Sequence, residues 1–145
     1  MYPMVAQLDV LYVEDDPHMI RLVSEAFAES SIPTRVHGVT DGLEARAFLA
    51  GDLTPDARGP DLVLLDKDLG AECGLDLIQQ LRDRLPPGSP VVVFSGSDEQ
   101  ADIELAYARG ANAYVQKPSD FEALVRFARG AATFWQPVSA ASTPT

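Results

Sequence analysis

The chain has 145 residues, with 22 acids against 11 Lys and Arg and a formal net charge of -11. That length supplies a core for one domain, while the acidic balance works against wrapping nucleic acid or docking on anionic lipid, both of which rest on Lys and Arg. A single cysteine, Cys73, excludes an intrachain disulfide and a multi-cysteine zinc site. No apolar run is long enough to span a bilayer and no basic-then-apolar leader opens the chain, so a reducing cytoplasm is the expected compartment.

In chain order, Asp9 to Val13 reads as a strand. From Pro17, suited to a first helical turn, Met19, Ile20, Val23 and Phe27 recur at helical spacing. Ser30 to Pro33 breaks that helix, and Thr34 to Val39 forms a second strand. Asp41 caps a helix carrying Leu43, Ala47 and Phe48, which Gly51 ends. "GDLTPDARGP" is a loop by composition. The third strand, "DLVLL", runs into Asp66 and Asp68, and a helix from about Gly74 to Arg84 follows. "LPPGSP" breaks the chain again before "VVVF", a continuously apolar run of the kind found in strands covered on both faces. "SGSD" opens a helix to about Arg109, and "NAYVQ" is a fifth strand. Ser119 or Asp120 caps a last helix to about Trp135. Residues 1–135 form one domain by this reading, and the polar stretch 136–145 is expected to be a disordered tail.

Five strands alternating with five helices predict a parallel sheet wound on both faces, with right-handed crossovers. In such sheets ligands bind beyond the carboxyl ends of the strands. That rule gathers Glu14, Asp15 and Asp16 from strand one, Asp66 and Asp68 from strand three, Ser95 from strand four and Lys117 from strand five. Crowded carboxylates either raise their own pKa values or recruit a cation, and an all-oxygen set suits Mg²⁺. A metal, an ammonium and a hydroxyl around one carboxylate are what a phosphoryl group needs, which makes Asp66 the natural nucleophile.

"VLYVEDDP", "DLVLLDKDLGAECGLDLI", "VVVFSGS" and "GANAYVQKPSDFEAL" stand in order from about Leu8 to Trp135. Together they resemble the receiver domain of two-component response regulators. The resemblance implies a flavodoxin-like sheet of order 2-1-3-4-5 and a phosphoryl group accepted on Asp66 from a phosphohistidine of a sensor histidine kinase. It implies Mg²⁺ on Asp15, Asp66 and the backbone carbonyl of Asp68, with Glu14 acting through water. Ser95 and Lys117 would contact the phosphoryl oxygens, with Gly96 and Pro118 in support. Tyr114 would be a switch that turns inward, and the Lys117–Pro118 bond is expected to be cis. The chemistry would be limited to self-phosphotransfer and autodephosphorylation. The "VEDDP" opening and short length are similar to the small receivers partnered with bacterial phytochrome kinases, with no DNA-binding output in this chain.

Some positions depart from the family pattern. Gly70 stands where proline is usual, which predicts a looser loop. Cys73 replaces a common acid, with a small apolar role expected. Asp68 is an additional carboxylate expected to alter phosphoryl lifetime. On the last helix, Phe121, Leu124, Val125, Ala128, Ala132 and Trp135 read as core. Phe127 and Phe134, beside Ala123 and Ala131, form a candidate apolar strip for a homodimer. Asp16 reads as a helix cap, and His18 and His37 as surface residues. "LLDKDLG" also resembles the Asp-x-Asp signature of haloacid-dehalogenase-type phosphatases, with Asp66 as nucleophile and Asp68 as acid–base. That motif belongs on a first strand, whereas here it follows some sixty residues. A pseudo-receiver that binds without phosphorylation is weighed against by the intact acids, hydroxyl and lysine.

Overall fold

Valine- and leucine-rich runs set the architecture, because a parallel strand covered on both faces must be apolar along its whole length. The computed structural model describes residues 7–51 and 59–136. Its main strands are β1 (Leu8–Val13), β2 (Thr34–Val39), β3 (Leu62–Leu65), β4 (Val91–Ser95) and β5 (Ala113–Gln116). They form one five-stranded sheet in the order β2-β1-β3-β4-β5, with every pairing parallel. Every residue of β3 and β4 is buried, whereas the edge strands β2 and β5 are mostly half-exposed.

The helices are α1 (Pro17–Ala28), α2 (Gly42–Leu49), α3 (Ile78–Arg84), α4 (Gln100–Ala108) and α5 (Phe121–Trp135). Two cores result, one on each face of the sheet. Val23, Phe27, Leu124 and Ala128 of α1 and α5 cover Val10, Tyr12, Leu62, Leu64, Val92 and Phe94. Ala45, Phe48, Ile78, Leu81 and Ala106 of α2, α3 and α4 cover Leu11, Val13, Val63, Leu65, Val91 and Val93. The alternation along each strand assigns odd and even residues to opposite cores. The caps fall where short polar side chains allow them: Asp16, Asp41 and Asp120 each accept a backbone N–H of the turn they open.

Several elements differ from the sequence reading. The helix expected from Gly74 starts as a 3₁₀ turn, Gly74–Leu77, before α3. The helix expected from "SGSD" starts later, at Gln100, because Ser97 is bound into the preceding turn. Leu43 is 70% exposed, and Ala45 with Phe48 makes the buried face of α2. Phe121 is exposed rather than core, since it opens α5 beyond the cover of α1. Phe127 stacks on Phe94 at 4.9 Å and Ala131 is buried, so the strip expected on the flank of α5 is reduced to Phe134, 77% exposed. The segment read as a loop lies partly outside the described residues, at 52–58, and nearly all of the expected tail does so, at 137–145. Among the described residues no helix is long and apolar enough to cross a membrane.

Candidate functional site

The hydrogen-bond ladders of the sheet run one residue past the strand ends, and those extra rungs fix the site. Glu14 N–H donates to the Val39 carbonyl at 2.9 Å, Asp66 N–H to Val13 at 3.0 Å, and Lys117 N–H to Ser95 at 2.7 Å. The backbones of three charged residues are thus held by the sheet itself. Because β1 and β3 are neighbours, Glu14 and Asp66 sit side by side. Among the described residues, Glu14, Asp15 and Asp66 bring one carboxylate oxygen each within 4.8 Å of one another. Glu14 and Asp66 are buried at 1% and 4% exposure, whereas Asp15 is open to solvent.

Lys117 reaches across from β5. Its Nζ lies 2.7 Å from Glu14 Oε1 and 3.3 Å from Asp66 Oδ2. β4 ends in small residues, buried Ser95 and then Gly96, at which an added Cβ would meet nothing within 4 Å. One ammonium therefore serves two buried carboxylates. Burial first, then the hydrogen bond with Asp66, pushes Glu14 up to about 7, with Lys117 pulling the other way. Burial opposes the charge on Lys117, yet Glu14 and Asp66 together hold it above the ordinary lysine range. Tyr12 donates its hydroxyl to Glu14 Oε1 at 3.2 Å, and burial followed by the charge of Glu14 pushes that phenol up.

Above these groups lies an open cleft of about 470 Å³ whose wall also includes Asp16, Met19, Asp68, Gly70 and Gly96. Asp68 N–H donates to Asp66 Oδ1 at 3.2 Å, and its own carboxylate is exposed. The loop after Asp66 is not loose. Asp68–Leu69 pairs with Glu72–Cys73 as a tight hairpin, and Gly70 turns it at φ 67°. Glu72 ties this hairpin to α2 by accepting Gly42 N–H at 3.0 Å, and Gly74 N–H closes its base on the Lys67 carbonyl at 2.6 Å. A side chain at Gly74 would collide with the Asp66 carbonyl, so this glycine is required by close approach. Cys73 is exposed on the hairpin, not packed as a small apolar residue.

The Lys117–Pro118 bond is trans, against expectation: there is no cis peptide among the described residues. The trans form is the lower-energy isomer for X–Pro, and the rung from Lys117 to Ser95 already delivers the ammonium to the carboxylates. Pro118 is half-buried next to it. Tyr114 is half-buried against the core, with its hydroxyl on the Ser97 carbonyl at 2.8 Å. Asp16 caps α1 as read, and His18 is exposed. His37 lies nearer the interior than read, with Nε2 3.2 Å from Asp9.

One arrangement was not anticipated. Lys67 pairs with Asp102 at 2.9 Å, and Ser97 Oγ donates to the same carboxylate oxygen at 3.0 Å. Asp102 is held below the usual carboxylate range by Lys67 first and Ser97 second, and Lys67 is raised chiefly by its hydrogen bond to Asp102. In the sequence Lys67 is only the spacer between two aspartates, and its partner lies 35 residues away. No local pattern marks the pair.

The strand order 2-1-3-4-5, with paired acids, Asp66 and a lysine gathered on one rim, makes this a doubly wound parallel fold whose acidic cleft lies beyond the carboxyl ends of its strands. The chain belongs to the response regulator receiver domain family, whose pattern matches residues 10–129. It is 31% identical over 129 residues to response regulator Rcp1 of Synechocystis sp. (strain ATCC 27184 / PCC 6803 / Kazusa), covering 87% of each chain. Among solved structures it is similar to the phosphorylated cyanobacterial phytochrome response regulator RcpA, at 34% identity and a TM-score of 0.76 over 90% of this chain and 94% of that one. The Mn(2+)-bound form of Rcp1 matches at 28% identity with a TM-score of 0.73, over 92% and 97%. Membership in this family weighs against the phosphatase alternative.

Proposed function

We propose that the protein accepts a phosphoryl group on Asp66 from the phosphohistidine of a sensor histidine kinase, with Mg²⁺ held by Asp15, Asp66 and the Asp68 carbonyl and by Glu14 through water. The observation that carries this reading is the charge count in the cleft. Two buried carboxylates and one neighbouring exposed carboxylate face a single ammonium. That deficit suits a hard divalent ion, and the donor set is all oxygen. The metal-bound form of the relative Rcp1 supports a divalent ion in this cleft. When bound, the ion would supply positive charge against the phosphoryl oxygens.

The residues divide the remaining work. An Asp66 carboxylate oxygen forms the new bond to phosphorus as the bond from phosphorus to the kinase imidazole nitrogen breaks, leaving an acyl phosphate and a free imidazole. Lys117 neutralises an equatorial oxygen from its position 3.3 Å from Asp66. The Ser95 hydroxyl, at the buried end of β4, donates to another. Water later attacks the acyl phosphate and restores Asp66, so no activity beyond self-phosphotransfer and autodephosphorylation is assigned. Similarity to RcpA supports a phytochrome-type kinase as donor, and a cytoplasmic setting follows from such a partner. Output would be phosphorylation-dependent docking or homodimerisation involving the last helix, where Phe134 is the most exposed of the large apolar residues.

The test is Mg²⁺-dependent labelling by acetyl phosphate, wild type against Asp66→Asn, with sedimentation measured alongside. Wild type takes up one label per chain, and Asp66→Asn takes up none. Undiminished label in Asp66→Asn removes the reading. A mass unchanged by phosphorylation removes dimerisation as the output.

A further inference from the structure

We propose that Lys67 is a positioning residue. Through Asp102 it fixes the turn between β4 and α4 in the geometry that receives the Tyr114 hydroxyl. The position next to the acceptor and the tyrosine on β5 are thereby joined into one unit. This inference rests on the receiver reading of Asp66.

The first turn of α4 is capped from outside the helix's own N-cap position. Its N-cap residue, Glu99, makes no side-chain cap. Ser97 does that work from two residues upstream: its Oγ accepts Glu99 N–H at 3.2 Å and donates to Asp102 Oδ2 at 3.0 Å. The same Asp102 oxygen accepts from Lys67 Nζ at 2.9 Å. The backbone of Ser97 is equally committed. Its N–H donates to Ser95 Oγ at 3.2 Å and its carbonyl accepts the Tyr114 hydroxyl at 2.8 Å. Ser97 therefore touches the site hydroxyl, the tyrosine and the first turn of α4 at once. Moving the acceptor of Tyr114 means moving Ser97, which breaks its contacts with Ser95 and Asp102.

Lys67 supplies the fixed end of this chain. It directly follows Asp66, and its carbonyl is bound by Gly74 N–H at the base of the hairpin. Asp102 belongs to α4, so the ion pair ties the acceptor loop to that helix. Lys67 and Asp102 are partly exposed, at 21% and 19%. An ion pair in such a setting biases an equilibrium modestly without locking it, which is what a switch requires.

The test compares Lys67→Met, Asp102→Asn and the double variant with wild type. One readout is the apparent affinity for beryllium fluoride in Mg²⁺. The other is the ¹⁹F resonance of Tyr114 in fluorotyrosine-labelled protein, assigned by its loss in Tyr114→Phe. Each single variant should shift the Tyr114 resonance toward a solvent-exposed position and weaken beryllium fluoride by roughly two- to fivefold. The double variant should be no weaker than the singles, since both remove one interaction. Asp102→Asn keeps the Lys67 charge, so weakening in Lys67→Met alone would mean a direct charge effect and overturn the proposal. An unshifted Tyr114 resonance, or additive losses in the double variant, overturns it too. Wild-type binding abolished by Asp66→Asn keeps the receiver reading standing whichever way the Lys67 variants fall. A wild type that takes up no beryllium fluoride overturns both.

Discussion

Two lysines meet carboxylates around Asp66, and they do different work. Lys117 and Lys67 are about equally covered, with side chains 19% and 21% exposed. Their partners are not alike. Lys117 faces Glu14 and Asp66, at 1% and 6% side-chain exposure, whereas Lys67 faces Asp102 at 19%. One ammonium against two buried acids leaves negative charge in excess and pushes Glu14 up to about 7. One ammonium against one half-open acid, with a serine hydroxyl in attendance, leaves no such excess and holds Asp102 down. The difference teaches that neither the lysine nor its exposure marks a reactive centre. The count of acids per cation and their burial do, and only the first pair calls for a further positive charge.

The sharpest way to break this contrast is to remove the shared cation. Lys117→Met leaves Glu14 and Asp66 buried without a counter-ion, a loss of about 3–5 kcal/mol in chelator that protonation of Glu14 partly relieves. Mg²⁺ should then restore more stability to the variant than it adds to wild type, because the cleft has become more negative. Urea midpoints with and without Mg²⁺ check both expectations, and a variant as stable as wild type in chelator removes the claim that the ammonium is shared.

A smaller effect lies in pH. Glu14 rises from an ordinary 4.5 to about 7 on folding. A carboxyl raised in the folded state contributes stability that is full below about 4.5 and lost as pH rises through about 7. In chelator, wild type should lose stability across that window, and Glu14→Gln should flatten that loss. Asp102 behaves oppositely: its depressed value contributes stability above the ordinary aspartate range that is lost as pH falls. Denaturation midpoints measured across pH for the two single variants separate these opposite slopes.

The smallest expected change belongs to Asp68→Asn. The Asp68 carboxylate is exposed at the lip of the cleft and its N–H already serves Asp66. Under the proposed phosphoryl transfer, its charge would repel anionic phosphodonors or orient water. A modest change in the rate of dephosphorylation is expected, and rates indistinguishable from wild type would remove the idea.

Much of this was readable along the chain. "VLYVEDDP" and "LLDKDLG" announce strands that end in acids because apolar runs and carboxylates are local signals, and a strand's end sets which rim its acids join. The boundaries of β2 and α5 and the caps Asp16, Asp41 and Asp120 follow from the same short-range chemistry. Helix faces were less legible. Leu43 and Phe121 fit helical spacing but sit at first turns, beyond the cover of neighbouring elements. Phe127 is drawn inward by Phe94, a partner that α5's own pattern does not reveal.

The amino-acid order by itself determined the alternation of strands and helices and the roster of acids, hydroxyl and lysine at strand ends. It did so because propensity, capping and periodicity act over a few residues. Tertiary structure alone decided which of those groups lie side by side, which lysine is left outnumbered, and that Lys67 finds Asp102 across 35 residues. Those outcomes depend on burial and on distances between strands, quantities that exist only once the sheet has been assembled.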